Sequence, residues 1–112
     1  MGLESYISGI VGEYKACAFL KRNKFEIVMR NFHSKFGEID IIAKKEGVLH
    51  FIEVKLTHND YEPAERLDTR KYKKLIKTIE IYQARYGISC DFQLDLICIK
   101  NGAVEFRENI SF

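Results

Sequence analysis

The spacing of apolar residues along this chain shifts between a helical period and a period of two, and the shifts mark its elements. From Ser5 to about Asn23, Tyr6, Ile7, Ile10, Val11, Tyr14, Cys17, Ala18 and Leu20 recur at helical spacing, which predicts an amphipathic helix with a broad apolar stripe. Alternation then takes over. Phe25 to Phe32, Gly37 to Ala43 (GEIDIIA) and Val48 to Leu56 (VLHFIEVKL) read as three strands of a meander, the last two joined by a turn at Glu46-Gly47. A polar loop through His58, Asn59, Asp60 and Pro63 leads to a second helix, from about Asp68 to Tyr86. Tyr72, Leu75, Ile76, Ile79, Tyr82 and Tyr86 share one face of it, and Gly87 is a C-terminal cap. Asp91 to Lys100 is rich in strand formers and meets Asn101-Gly102, a strong hairpin signal, before a short strand through Val104 and Phe106. The order α-β-β-β-α-β-β predicts an α/β domain, a mixed sheet flanked by helices. Repeats, low-complexity tracts and linkers are absent from the sequence, so residues 1–112 are expected to form a single domain.

The third predicted strand carries the first chemical signal. Glu53 and Lys55 stand two apart, so the period of a strand sends both side chains to one face, together with Leu49 and Phe51. If Glu46-Gly47 is a two-residue turn, Lys45 pairs with Val48, and counting back along the ladder sets Asp40 opposite Glu53 on that same face. Their Cβ atoms would then lie roughly 4.5–5.5 Å apart. A slip of one residue would break this pairing, and Glu is not the favoured first residue of such a turn. Two carboxylates at that separation repel each other unless a cation sits between them. Oxygen ligands without an accompanying His or Cys favour Mg²⁺ or Mn²⁺ over zinc. The plain alternative is a solvated carboxylate pair with Lys55 as an ordinary ion-pair partner.

Counting about 100° per residue around the first helix places Glu13 between Leu20, Tyr6 and Cys17, inside the apolar stripe. A carboxylate there needs a metal, a cationic partner such as a nearby Arg or Lys, or a place at the stripe's end near solvent. The second helix carries the opposite charge: Arg66, Arg70, Lys71, Lys73, Lys74 and Lys77 stand against Asp68 alone. Such a face suits a phosphate backbone, and it also suits plain solvation.

Composition narrows the setting. Hydrophobic residues make up 46% of the chain and charged residues 30%, the balance of a globular protein rather than a disordered one. No apolar run approaches the roughly 20 residues of a membrane span, and the first residues lack a signal-peptide pattern, so a cytoplasmic protein is expected. A net charge of only +2 means that any case for a nucleic-acid partner rests on local clustering. Cys17, Cys90 and Cys98 lie in apolar stretches and read as buried thiols. His33, His50 and His58 lack ligand spacing and read as surface or loop residues.

Gly12-Glu13, Gly37-Glu38-Ile39-Asp40, Phe51-Ile52-Glu53-Val54-Lys55, Lys71, Asp95 and the ending from Asn109 to Phe112 resemble the small bacterial family called UPF0102, or YraN-like. The likeness runs in order along nearly the whole chain. It implies a PD-(D/E)xK, restriction-endonuclease-like fold, close to archaeal Holliday junction resolvases. On that resemblance Glu13, Asp40 and Glu53 would be metal ligands and Lys55 the catalytic lysine. One position departs: the family often has an arginine two places after this lysine, and Thr57 stands there.

The expected activity is metal-dependent hydrolysis of phosphodiester bonds in DNA, with branched or structured DNA as a candidate substrate. Asp40 and Glu53, with Glu13, would hold Mg²⁺ or Mn²⁺. Lys55 would stabilise developing charge or orient water, and Arg70, Lys71, Lys73, Lys74 and Lys77 would grip the backbone. A resolvase-like cut of two strands would call for a homodimer. The rivals are a non-catalytic nucleic-acid-binding module and a protein-interaction domain.

Overall fold

The register of the central hairpin in this chain is set by one tight turn. The computed structural model describes residues 3–57 and 69–110. In it, helix α1 (Leu3–Arg22) is followed by strands β1 (Glu26–Ser34), β2 (Gly37–Lys45) and β3 (Val48–Thr57). Glu46 at φ 51° and Gly47 at φ 81° are both left-handed, giving the two-residue turn whose twist suits a hairpin. Glycine takes that conformation freely and glutamate at a cost, which the ladder beyond the turn outweighs. From Lys45↔Val48 the pairing runs back without a slip to Ile41↔Ile52.

Helix α2 (Thr69–Tyr86) then crosses over to β4 (Phe92–Lys100), which lies parallel to β3 from Leu49↔Phe92 to Thr57↔Lys100. A parallel neighbour needs such a crossover. β5 (Ala103–Arg107) returns antiparallel through the Asn101-Gly102 turn, so the sheet order is β1-β2-β3-β4-β5. β3 is therefore the central strand, and Leu49 to Glu53 are buried without interruption.

Each helix covers one face of this mixed sheet. Ala16, Cys17 and Leu20 of α1 pack with Phe25, Ile41, Ala43, Ile52, Ile97 and Ile99. Leu75, Ile79 and Tyr82 of α2 pack on the other face with Phe32, Ile39, Ile42, Leu49, Phe51 and Leu94. The α/β class and the element order are those expected from the sequence. No helix among the described residues is long and apolar enough to cross a membrane.

Several expectations about individual residues are corrected. On α1, Ile10 and Tyr14 are 50% and 72% exposed, and Val11 is exposed as well. The helix buries Cys17 and Leu20 as expected, but beside them it turns the small Gly12 and Ala16 to the sheet. Small side chains let the two backbones approach: a Cβ on Gly12 would lie 2.5 Å from Leu56 Cδ1 and 3.7 Å from Ile99 Cδ1. Gly12→Val is accordingly expected to cost about 2 kcal/mol through overpacking. Gly9→Ala, where nothing lies within 4 Å, is expected to gain up to about 1 kcal/mol of helix propensity. Urea unfolding of both variants checks the pair, and a neutral Gly12→Val would remove the close-approach argument. Tyr86, read as part of the apolar face of α2, is half exposed. Cys90 is exposed, because it lies in the link between α2 and β4 rather than in a strand, while Cys17 and Cys98 are buried. His50 is buried, not superficial, for a reason given below. His58, Arg66 and Asp68 lie outside the described residues.

Candidate functional site

The alternation of β1 breaks twice, at the register shift between Ile27 and Met29 and again at Asn31, and the candidate site forms beside the second break. Arg30 pairs with Ile41 and Phe32 with Ile39. Ile41 packs on the α1 side, whereas Ile39 and Phe32 pack on the α2 side. Asn31, at φ 54°, turns β1 between them, and Asn tolerates that conformation because its short side chain bonds locally. The β2–β3 ladder stops at Ile41↔Ile52. Just beyond it, Asp40 Oδ2 accepts the Val54 N–H at 2.8 Å, so a side chain takes the place of a backbone partner where the strands part.

Asp40 and Glu53, one step past that last pair, line one cavity of about 600 Å³ together with Lys55. The expected juxtaposition is therefore present, and its electrostatics are strained. Glu53 is 5% exposed. Lys71 Nζ and Lys55 Nζ stand 3.7 and 3.9 Å from Glu53 Oε2, too far for hydrogen bonds. Glu53 Oε1 is buried without a hydrogen-bond partner among the described residues, an arrangement that costs about 1–3 kcal/mol. Burial and the Asp40 charge push the Glu53 carboxyl up to about 7, against the pull of Lys55 and Lys71. Burial raises Asp40 too, although the Val54 hydrogen bond opposes it. Lys55 is pushed below the ordinary lysine value by burial and by its neighbour Lys71.

Glu13 lies apart from this pair. Its Oε1 accepts from Arg30 Nε at 3.1 Å and from Asn31 Nδ2 at 3.1 Å, with Arg30 Nη2 at 3.0 Å. Glu13 therefore has the cationic partner that was one of its alternatives. It lines a neighbouring cavity that shares Asp40 and Glu38 with the first. Among the described residues no three His, Cys, Asp or Glu side chains converge as a ligand set.

Sequence comparison places these residues in a family. The profile described as "Uncharacterised protein family UPF0102" matches residues 12–99, a span holding Glu13, Asp40, Glu53, Lys55 and all of α2. The chain belongs to UPF0102. It is 66% identical over 112 residues to a UPF0102 protein of Campylobacter jejuni subsp. jejuni (strain 81-176), covering 100% of both chains. Over the same 112 residues it is 56% identical to one of Campylobacter lari. It is 50% identical over 111 residues to one of Campylobacter hominis, covering 99% of both chains.

In this UPF0102 chain the basic residues of α2 divide. Arg70, Lys71 and Lys74 form the wall of the cavity opposite Asp40 and Glu53. Lys77 reaches the rim, its Nζ 5.0 Å from the ring of Phe36, which also lines the cavity. Lys73 is exposed and does not line it. Helical geometry accounts for the split: at about 100° per residue the lining positions 70, 71, 74 and 75 span one side of the helix, 77 lies at its edge and 73 falls farther round.

Two networks escape a reading of the sequence. Ser34 Oγ lies 2.8 Å from Thr78 Oγ1, and Thr78 Oγ1 donates to Lys74 O at 3.0 Å, tying the β1–β2 turn to α2. At the opposite end of β3, His50 Nδ1 donates to Asp95 Oδ2 at 2.5 Å. Asp95 Oδ1 accepts from Gln93 Nε2 and from the Asn109 N–H, each at 2.8 Å. Three hydrogen bonds to one buried carboxylate are what make its burial tolerable. His50 and Asp95 stand far apart along the chain, so no local pattern could have paired them.

Proposed function

We propose that this UPF0102 chain is a metal-dependent endonuclease that hydrolyses phosphodiester bonds in DNA. The observation that carries the reading is the buried Glu53, one oxygen without a hydrogen-bond partner among the described residues, set beside Asp40 in a cleft whose far wall is Arg70, Lys71 and Lys74. Such a pair of carboxylates is relieved by a divalent cation, and its hard oxygen donors suit Mg²⁺ or Mn²⁺. Asp40 and Glu53 would hold it, with Glu13 joining only on release from Arg30 and Asn31. The ion would supply an activated water and offset charge on the scissile phosphate. Lys55 is placed to meet negative charge that grows on the phosphate oxygens. The α2 wall holds the backbone on either side.

Incubating the protein with linear, nicked, single-stranded and four-way-junction DNA in Mg²⁺, Mn²⁺ or EDTA tests this. Cleavage that needs both metal and Asp40 supports it, and no cleavage of any substrate would sink it. One observation favours a second reading, a binding module without turnover: Lys55 and Lys71 already sit within 4 Å of Glu53 and partly balance it without an ion. That reading predicts DNA binding that survives Asp40→Ala.

Both readings share a grip on phosphate, and its site is specific. Replacing Arg70 and Lys74 together by Ala is expected to make the log–log salt slope of duplex binding shallower by about two, at roughly 0.9 per phosphate contact. Lys73→Ala is expected to leave it unchanged. Titrations of labelled DNA across a salt series decide this, and equal slopes in wild type and double mutant would move the grip elsewhere.

A further inference from the structure

Phe36 occupies the two-residue turn between β1 and β2 and lines the same cavity as Asp40, Glu53 and Lys55. A large apolar ring at a polar, basic cleft mouth contributes little to either cluster of the core. It is nonetheless held in place. Its N–H donates to Ser34 Oγ at 3.1 Å, and Ser34 is tied to the fully buried Thr78 of α2. Lys35 Nζ and Lys77 Nζ stand over the ring at 5.3 and 5.0 Å from its centroid.

We infer that the cleft takes a strand with unpaired bases and that Phe36 is the platform on which one of them stacks, an inference that rests on the nuclease reading above. A base–aromatic stack is the stronger of two competing interactions, since an exposed cation–π contact is weak. An arriving base therefore displaces one ammonium from the ring, and that ammonium stays within reach of the adjoining phosphate. Bases inside a duplex are stacked on their neighbours and out of a side chain's reach, so this contact is open only to single strands, flaps, branch points or frayed ends. Every base has a π face, so the platform selects for unpaired structure without selecting sequence.

Binding measured in EDTA, where no cleavage intervenes, tests the platform with a labelled single-stranded oligonucleotide, its fully abasic counterpart and a duplex of the same length. Wild type is expected to bind the intact single strand about 10-fold more tightly than the abasic one. Phe36→Leu, which keeps the bulk but not the π system, is expected to lose that preference while changing duplex affinity less than about 2-fold. Phe36→Trp is expected to keep the preference. Equal affinity of wild type for intact and abasic strands, or an undiminished preference in Phe36→Leu, would overturn the platform while leaving the nuclease reading standing. Absence of binding to any of the three DNAs at low salt would overturn the nuclease reading, and the platform with it.

Discussion

Without added metal, the protein is expected to lose roughly 3 kcal/mol of stability as pH rises from about 4.5 to about 7, and Glu53→Gln is expected to abolish most of that loss. The sign follows from which state binds more protons. Glu53 has an ordinary value of 4.5 in the unfolded chain and about 7 when folded. Between those limits the native state holds a proton that the unfolded state has released. Stability from this group is thus complete below the lower value and disappears as pH climbs through the upper one. Glutamine keeps the shape without the charge. Divalent metal should reverse the trend in wild type, because it favours the ionised pair and stabilises by mass action. Asp40→Ala should remove the metal's effect, and Glu13→Ala should weaken it less. Urea midpoints across pH, in EDTA and in Mn²⁺, provide the measurement. A Glu53→Gln variant that loses stability with pH as steeply as wild type would show that the strain lies elsewhere.

Lys55→Ala is expected to lower metal-dependent cleavage by about 10²–10³-fold, the usual effect of deleting one group aimed at transition-state charge. The folded state should hardly notice. Lys55 Nζ is 3.9 Å from Glu53 Oε2 in a loose ion pair, and Lys71 Nζ, at 3.7 Å, remains to balance that carboxylate when Lys55 is gone. The contrast between a large kinetic and a small thermodynamic effect is the distinguishing result. Single-turnover cleavage set beside urea unfolding reads both. A variant that fails to fold would make Lys55 a structural partner of the carboxylates, and full cleavage would take it out of the reaction.

The hairpin register was readable because two residues fixed it. Once Glu46 and Gly47 form the turn, parity does the rest, and Asp40 meets Glu53 where counting puts it. What parity could not supply is the parting of β2 and β3 beyond Ile41 and Ile52, which depends on a side chain capping Val54 N–H. The first helix misled for a related reason. Hydrophobic counting favours large residues such as Ile10 and Tyr14, whereas Gly12 and Ala16 face the sheet because close approach there rewards small ones. Glu13 was correctly set apart as a carboxylate in need of a partner, yet Arg30 and Asn31 reach it only because Asn31 adopts a left-handed backbone. His50 and Asp95 illustrate the remaining gap, a buried pair whose members declare nothing until the sheet brings them together.

The parallel pairing of β3 with β4 has a consequence for how the chain acquires its shape. Antiparallel β1, β2 and β3 are joined by tight turns, so their contacts are local and close at little entropic cost. Leu49 can find Phe92 only after the whole of α2 has been spanned, and such distant pairing is the slow kind. The pairing that brings the two carboxylates together is therefore the local, less costly part of folding, and the basic wall of α2 belongs to the distant part. The late step that docks α2 is then also the step that encloses Glu53, which makes the assembly of the cleft and the completion of folding one event.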